Sequence, residues 1–161
     1  MDSMEIDLRL LDPATDLHLF EEAYNWRPDR KPHVQPDRMP FEQFSANDPR
    51  QIVIGAFNGQ LEAVFVFWEF EPKCFEAHFT TRKGIEKDLL YESAREVVAC
   101  LLENGASQLV AWIIPRNTPL TRFVEGLGFQ YVSRETFPCQ NDTNGSTLTP
   151  DREFNKYVCT R

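Results

Sequence analysis

Glu76 and His78 stand two positions apart in the segment Cys74 to Thr81. Alternate residues of a strand project from one face, so this carboxylate and imidazole point the same way. A His of near-neutral pKa or a desolvated Glu can each take a proton from a reacting group. The pair is therefore the candidate base, with a polar pair on an exposed face as the plainer reading. Metal chemistry has no comparable pattern. His18, His33 and His78 are scattered, and none of Cys74, Cys100, Cys139 and Cys159 lies in a C-x-x-C pair or at zinc spacing from a His. Cys74 and Cys100 fall within apolar patterns and read as small core residues. Cys139 and Cys159 flank a C-terminal loop and become neighbours if that loop closes a hairpin, with reduced thiols expected.

The elements that must carry these residues follow from the periodicity. Ile6, Leu8 and Leu10 alternate with Asp7 and Arg9, predicting a strand over Glu5 to Leu11. A helix from Ala14 to Trp26 presents Leu17, Phe20, Ala23 and Tyr24. Prolines at 28, 32, 36 and 40 make Arg27 to Pro40 an extended loop, which carries Arg27, Arg30, Lys31, His33 and Arg38. A helical turn at Phe41 to Ala46 precedes strands at Gln51 to Phe57 and Leu61 to Phe70. Asn58-Gly59 between them predicts a type I′ turn. The run Val64-Phe65-Val66-Phe67-Trp68 is apolar on both faces, as a central strand requires. After the strand Cys74 to Thr81 comes the clearest helix, Lys87 to Glu103, with Leu89, Leu90, Ala94, Val97, Val98, Leu101 and Leu102 in one stripe and Gly105 as its stop. Gln108 to Ile114 reads as a buried strand. Asn117 or Thr118 caps a last helix that packs Leu120, Phe123, Val124 and Leu127 inward. Strands at Phe129 to Phe137 and Glu153 to Thr160 flank the polar loop Asn141 to Pro150.

The bulk properties bound the function. A chain of 161 residues predicts a single domain, large enough to bury roughly two-thirds of its unfolded surface. A net charge of −8 argues against nucleic acid and anionic membrane as partners, since both need a basic surface. It favours a cationic substrate such as an amine, or simply provides a solvated acidic surface. No apolar run reaches the ~20 residues of a membrane span. Acids occupy Met1 to Asp7 where a signal peptide carries positive charge, so the expected location is the cytoplasm, of the protein's own cell or of a host.

The order β-α-α-β-β-β-α-β-α-β-β resembles that of the GNAT N-acetyltransferases over essentially the whole chain: an α/β fold with one mixed sheet. Two motifs support the resemblance. Lys83-Gly84-Ile85-Glu86-Lys87-Asp88-Leu89-Leu90 looks like the family's strand-to-helix segment, Arg/Gln-x-x-Gly-x-Gly/Ala followed by paired leucines. Asn117 through Gly128-Phe129 resembles the closing motif, in which Asn opens the last helix and Gly-Phe ends it.

The resemblance implies that acetyl-coenzyme A lies where the strands Cys74 to Thr81 and Gln108 to Ile114 splay apart. Its pyrophosphate would meet backbone N–H groups at the start of the long helix, whose dipole favours an anion. The implied cofactor contacts are Phe79, Thr80, Thr81, Arg82, Lys83, Gly84, Ile85 and Asn117, and Glu76 and His78 lie where the family often carries its catalytic carboxylate. Three positions depart from the pattern. Thr81 replaces Arg/Gln, Glu86 replaces the second small residue, and Val124 stands where the family often has a proton-donating Tyr, with Tyr131 the nearest substitute. Arg82 and Lys83 are placed to compensate for Glu86. The implied activity is acetyl transfer to a small-molecule or protein amine. A non-catalytic module like the degenerate bacteriophage members of the family, and an unrelated α/β ligand-binding domain, are the other readings. The final hairpin, Phe129 to Thr160, offers an edge for pairing with a second copy, and the basic loop Arg27 to Pro40 falls where the family places its acceptor cover.

Overall fold

In the computed structural model, which describes residues 5–26, 41–137 and 152–161, the chain forms β1 (Asp7–Leu10), α1 (Pro13–Tyr24), α2 (Phe41–Phe44), β2 (Gln51–Phe57), β3 (Leu61–Glu71), β4 (Cys74–Thr81), α3 (Lys87–Glu103), β5 (Gln108–Ile113), α4 (Thr118–Gly126), β6 (Gln130–Phe137) and β7 (Arg152–Thr160). This is the expected element order. The proline-spaced loop with Arg27, Arg30, Lys31, His33 and Arg38, the loop Asn141 to Pro150, and Cys139 lie outside the described residues.

The strands build one seven-stranded sheet in the order β1-β2-β3-β4-β5-β7-β6. Every neighbouring pair is antiparallel except β4 and β5. β3 sits inside the sheet and divides its side chains between two cores. Phe65 and Phe67 face α3 and α4 with Val97, Leu101, Leu109, Ile113 and Val124. Val64 and Val66 face α1 and α2 with Phe20, Ala23 and Phe44. Both faces of its central run are therefore covered, as the unbroken apolar sequence requires. Phe20 is fully buried, and truncating such a side chain costs about 3–5 kcal/mol.

Both long helices on the β5 side end in the same device. Gly105 N–H donates to Leu102 O and Ala106 N–H to Leu101 O. Gly128 N–H donates to Glu125 O and Phe129 N–H to Val124 O. This is the Schellman arrangement, which needs a left-handed residue after the helix, and Gly105 (φ 110°) and Gly128 (φ 100°) supply it. Asn117 opens α4 by accepting a hydrogen bond from Leu120 N–H at 3.2 Å, with Pro119 in the first turn.

Three local expectations are corrected. The β2–β3 hairpin forms, but not through a type I′ turn. Gly59 has φ 77°, while Asn58 is not among the positive-φ residues. The connection has three residues, Asn58-Gly59-Gln60, and a bulge at Glu62 of β3, opposite the Ala56–Phe57 step, absorbs the extra one. In α1, Leu17 is 45% exposed and Asp16 is buried. The helix kinks at Asp16 (φ −116°, ψ 22°), which turns that carboxylate inward to meet Arg9 Nη1 at 3.3 Å and Asp12 N–H at 3.0 Å. Cys100 is exposed rather than core, because it falls outside the 94-97-98-101 stripe of α3. Cys74 is half-buried and Cys159 buried, and burial pushes the Cys159 thiol pKa up.

Candidate active site

β4 and β5 run parallel through three residue pairs only, Cys74 with Gln108, Phe75 with Leu109 and Glu76 with Val110. Beyond Glu76, β4 stays with β3 through Thr81, and β5 stays with β7 through Ile113. The two strands thus part, as the resemblance led us to expect. A cavity of about 490 Å³ occupies the gap, within the range of small-ligand sites.

Strand parity decides what reaches each side of this opening. Ala77 and Phe79 face the α3–α4 core, where Phe79 stacks against Phe123 at 5.4 Å. His78 pairs with Val66 and Thr80 with Val64, so His78 and Thr80 face α1 and α2. Phe79, Thr80, His78 and Asn117 all line the cavity. Glu76 is not on the lining. Its Oε1 lies 3.2 Å from His78 Nε2. The His78 hydrogen bond, against the opposing effect of burial, holds the Glu76 carboxyl below its ordinary pKa. When Nε2–H donates to that carboxylate, Nδ1 is the ring's remaining acceptor.

The loop between β4 and α3 lies beyond the cavity lining. Gly84 adopts φ 81°, a conformation that only glycine takes without strain, and a Cβ there would meet open space. Ile85 N–H closes a turn onto Arg82 O at 3.3 Å. Glu86 is the N-cap of α3, extended at φ −69° and ψ 139°, and its side chain makes no capping bond. The first N–H groups of α3 therefore remain for solvent or a ligand. Arg82 is committed elsewhere. Its Nη2 donates to Gln60 Oε1 at 2.6 Å and its Nε lies 3.7 Å from Glu62 Oε2, which ties it to the β2–β3 hairpin. Lys83 is exposed and Thr81 buried.

Val124 is buried on the cavity wall. Tyr131, considered as its substitute, is 55% exposed on the outermost strand β6 and meets Tyr157 edge-on, so the fold does not bring it to the cavity. Sequence reading passed over Trp112, Phe154, Phe44, Arg116 and Arg152, all of which line the cavity. Trp112 carried a signal, since it is the one ring in the strand Gln108–Ile113.

No protein-family model matches the chain, and no curated protein does. Solved structures do. An N-acetyltransferase from Staphylococcus aureus Mu50 superposes with a TM-score of 0.71 at 13% identity, over 97% of each chain. A Bacillus subtilis acetyltransferase in complex with CoA gives a TM-score of 0.68 at 12% identity, over 98% of this chain and 99% of that one. A ribosomal-protein-S5-alanine acetyltransferase from Vibrio fischeri gives 0.68 at 9%, over 99% and 95%. The chain has the GNAT fold, an α/β fold with a mixed seven-stranded sheet.

Proposed function

We propose that this chain is a single-domain, acetyl-coenzyme A-dependent N-acetyltransferase in which His78 accepts the proton of the acceptor amine. The observation that carries this reading is the cavity between the parted strands β4 and β5, with His78 on its wall. Two features support the reading: Phe79, Thr80 and Asn117 line the gap where a pantetheine arm would lie, and the start of α3 after Gly84, which has no side-chain cap, would offer its N–H groups to a phosphate. The cofactor supplies an acetyl group activated as a thioester. The reaction forms an N–C bond to the acetyl carbon and breaks the C–S bond, whose electron pair leaves on sulfur.

The protein's own contribution is to hold the amine against this wall and move one proton. Glu76 orients the imidazole through its contact to Nε2, and His78 Nδ1 takes the proton. His78 can then return that proton to the leaving sulfur, which Val124 cannot do. The chain's net charge of −8 is consistent with an amine acceptor and with the absence of nucleic-acid or membrane partners. Among the described residues no helix is long and apolar enough to cross a membrane, and we place the activity in the cytoplasm. Any homodimer would use the β6 edge, where Tyr131 and Val132 are exposed.

A second reading, a GNAT-fold module without catalysis, is favoured by the Glu86 carboxylate at the phosphate-facing end of α3 and by the engagement of Arg82 with the hairpin. Calorimetric titration with acetyl-coenzyme A separates the two. Micromolar binding, tightened roughly two- to fivefold in Glu86→Gly by removal of a like charge, supports the transferase. Binding by Glu86→Gly alone supports the module.

A further inference from the structure

The half of the cavity in front of His78 is walled by rings from four different elements: Tyr24 of α1, Phe44 of α2, Trp112 of β5 and Phe154 of β7. They share one side of the sheet. Trp112 alternates with Ala111 and Ile113, which face the opposite core. Phe154 alternates with Asn155 and Tyr157, of which Tyr157 faces that same core.

These rings are fixed from behind. Phe137 meets Trp112 edge-on at 4.9 Å and 87° and reaches Phe154 at 5.6 Å. Lys156 places its ammonium 5.5 Å from the Trp112 ring centroid. Phe44 is held by Phe20 at 5.3 Å and by Tyr24 at 5.7 Å. A pocket with pre-positioned aromatic walls selects a ligand that can stack, and ring faces also attract an ammonium group. Arg116 lies on the same lining, so an acceptor with a second cationic group meets like charge there.

From this arrangement we infer that the acceptor is a monoamine carried on an aromatic body, stacked against Trp112 and Phe154 with its nitrogen toward His78. The inference rests on the acetyltransferase reading and adds the acceptor class to it. Transfer then yields an N-acetyl arylalkylamine, with the amine proton passed to His78 and the C–S bond of the donor broken.

The test is calorimetric titration with phenethylamine, butylamine and putrescine, in the presence and absence of coenzyme A, on the natural protein and on Trp112→Leu and Phe154→Leu. Leucine keeps apolar bulk and removes the ring, and circular dichroism checks that each variant is folded. Phenethylamine should bind about tenfold more tightly than butylamine, and either variant should erase most of that preference. Acetyl-coenzyme A affinity should stay within about twofold, because neither ring lies at the α3 end of the site. Acetyl-coenzyme A binding without any preference for phenethylamine overturns the aromatic acceptor and leaves the transferase standing. A preference that survives in both variants overturns it as well. Phenethylamine preference without acetyl-coenzyme A binding supports the aromatic site while removing the transferase reading.

Discussion

A neutral imidazole keeps one nitrogen free to accept a proton, and which one depends on the partner of the other. Glu76 makes that choice for His78 through the 3.2 Å contact to Nε2. His78→Ala should lower turnover about 100-fold or more while leaving acetyl-coenzyme A affinity unchanged. Equal losses in both measurements would instead mean that the residue shapes the cavity. Asp16 illustrates a carboxylate with a structural task. The Asp12 N–H, and after it the Arg9 guanidinium, holds its pKa below the ordinary value despite burial. A carboxyl lowered in the folded state stabilises fully above the ordinary carboxylate range, and that contribution is lost as pH falls through its folded value. Asp16→Asn should therefore cost about 1–3 kcal/mol at neutral pH and flatten the acid side of a stability-versus-pH curve measured by urea unfolding. The Glu76–His78 pair was legible from strand parity alone. Asp16 was not, because its burial depends on a kink that helical periodicity does not contain.

At the scale of elements, local rules were sufficient for most of the chain. The stripe of α3 and the Asn117 cap of α4 follow from spacing and from capping chemistry. Gly105 stops α3 because only a left-handed residue can donate back to Leu102 O while Ala106 reaches Leu101 O. Gly105→Ala should cost about 1–2 kcal/mol through that backbone conformation, readable as a shift in the urea midpoint with an unchanged slope. A change in slope would point to altered compactness instead. The Asn58-Gly59 pair shows where local rules stop. Its composition announced a hairpin, yet the turn type depended on whether β3 carries a bulge at Glu62, which is a property of its pairing with β2. The function of Arg82 was hidden for the same reason. Its partners, Gln60 and Glu62, belong to a hairpin some twenty residues upstream.

For the molecule as a whole, the parted strands could be anticipated only by resemblance, since nothing within Cys74–Thr81 or Gln108–Ile113 records that the two run parallel and then separate. The aromatic wall was invisible for a related reason. Tyr24, Phe44, Trp112 and Phe154 are spread over most of the chain and meet only when the sheet closes its order as β4-β5-β7. Three residue pairs hold β4 to β5, and this has a consequence for how the backbone meets water. β4 is central by its place in the sheet, yet past Glu76 it has a bonded neighbour on one side only. Its successive amides point alternately toward β3 and into the gap. Deuterium uptake along Ala77–Thr80 should thus rise and fall with a period of two residues, slow where β3 accepts the bond and fast where the gap does. Uniform protection across those residues would mean that the gap closes in solution, and a bound ligand should slow the fast positions first.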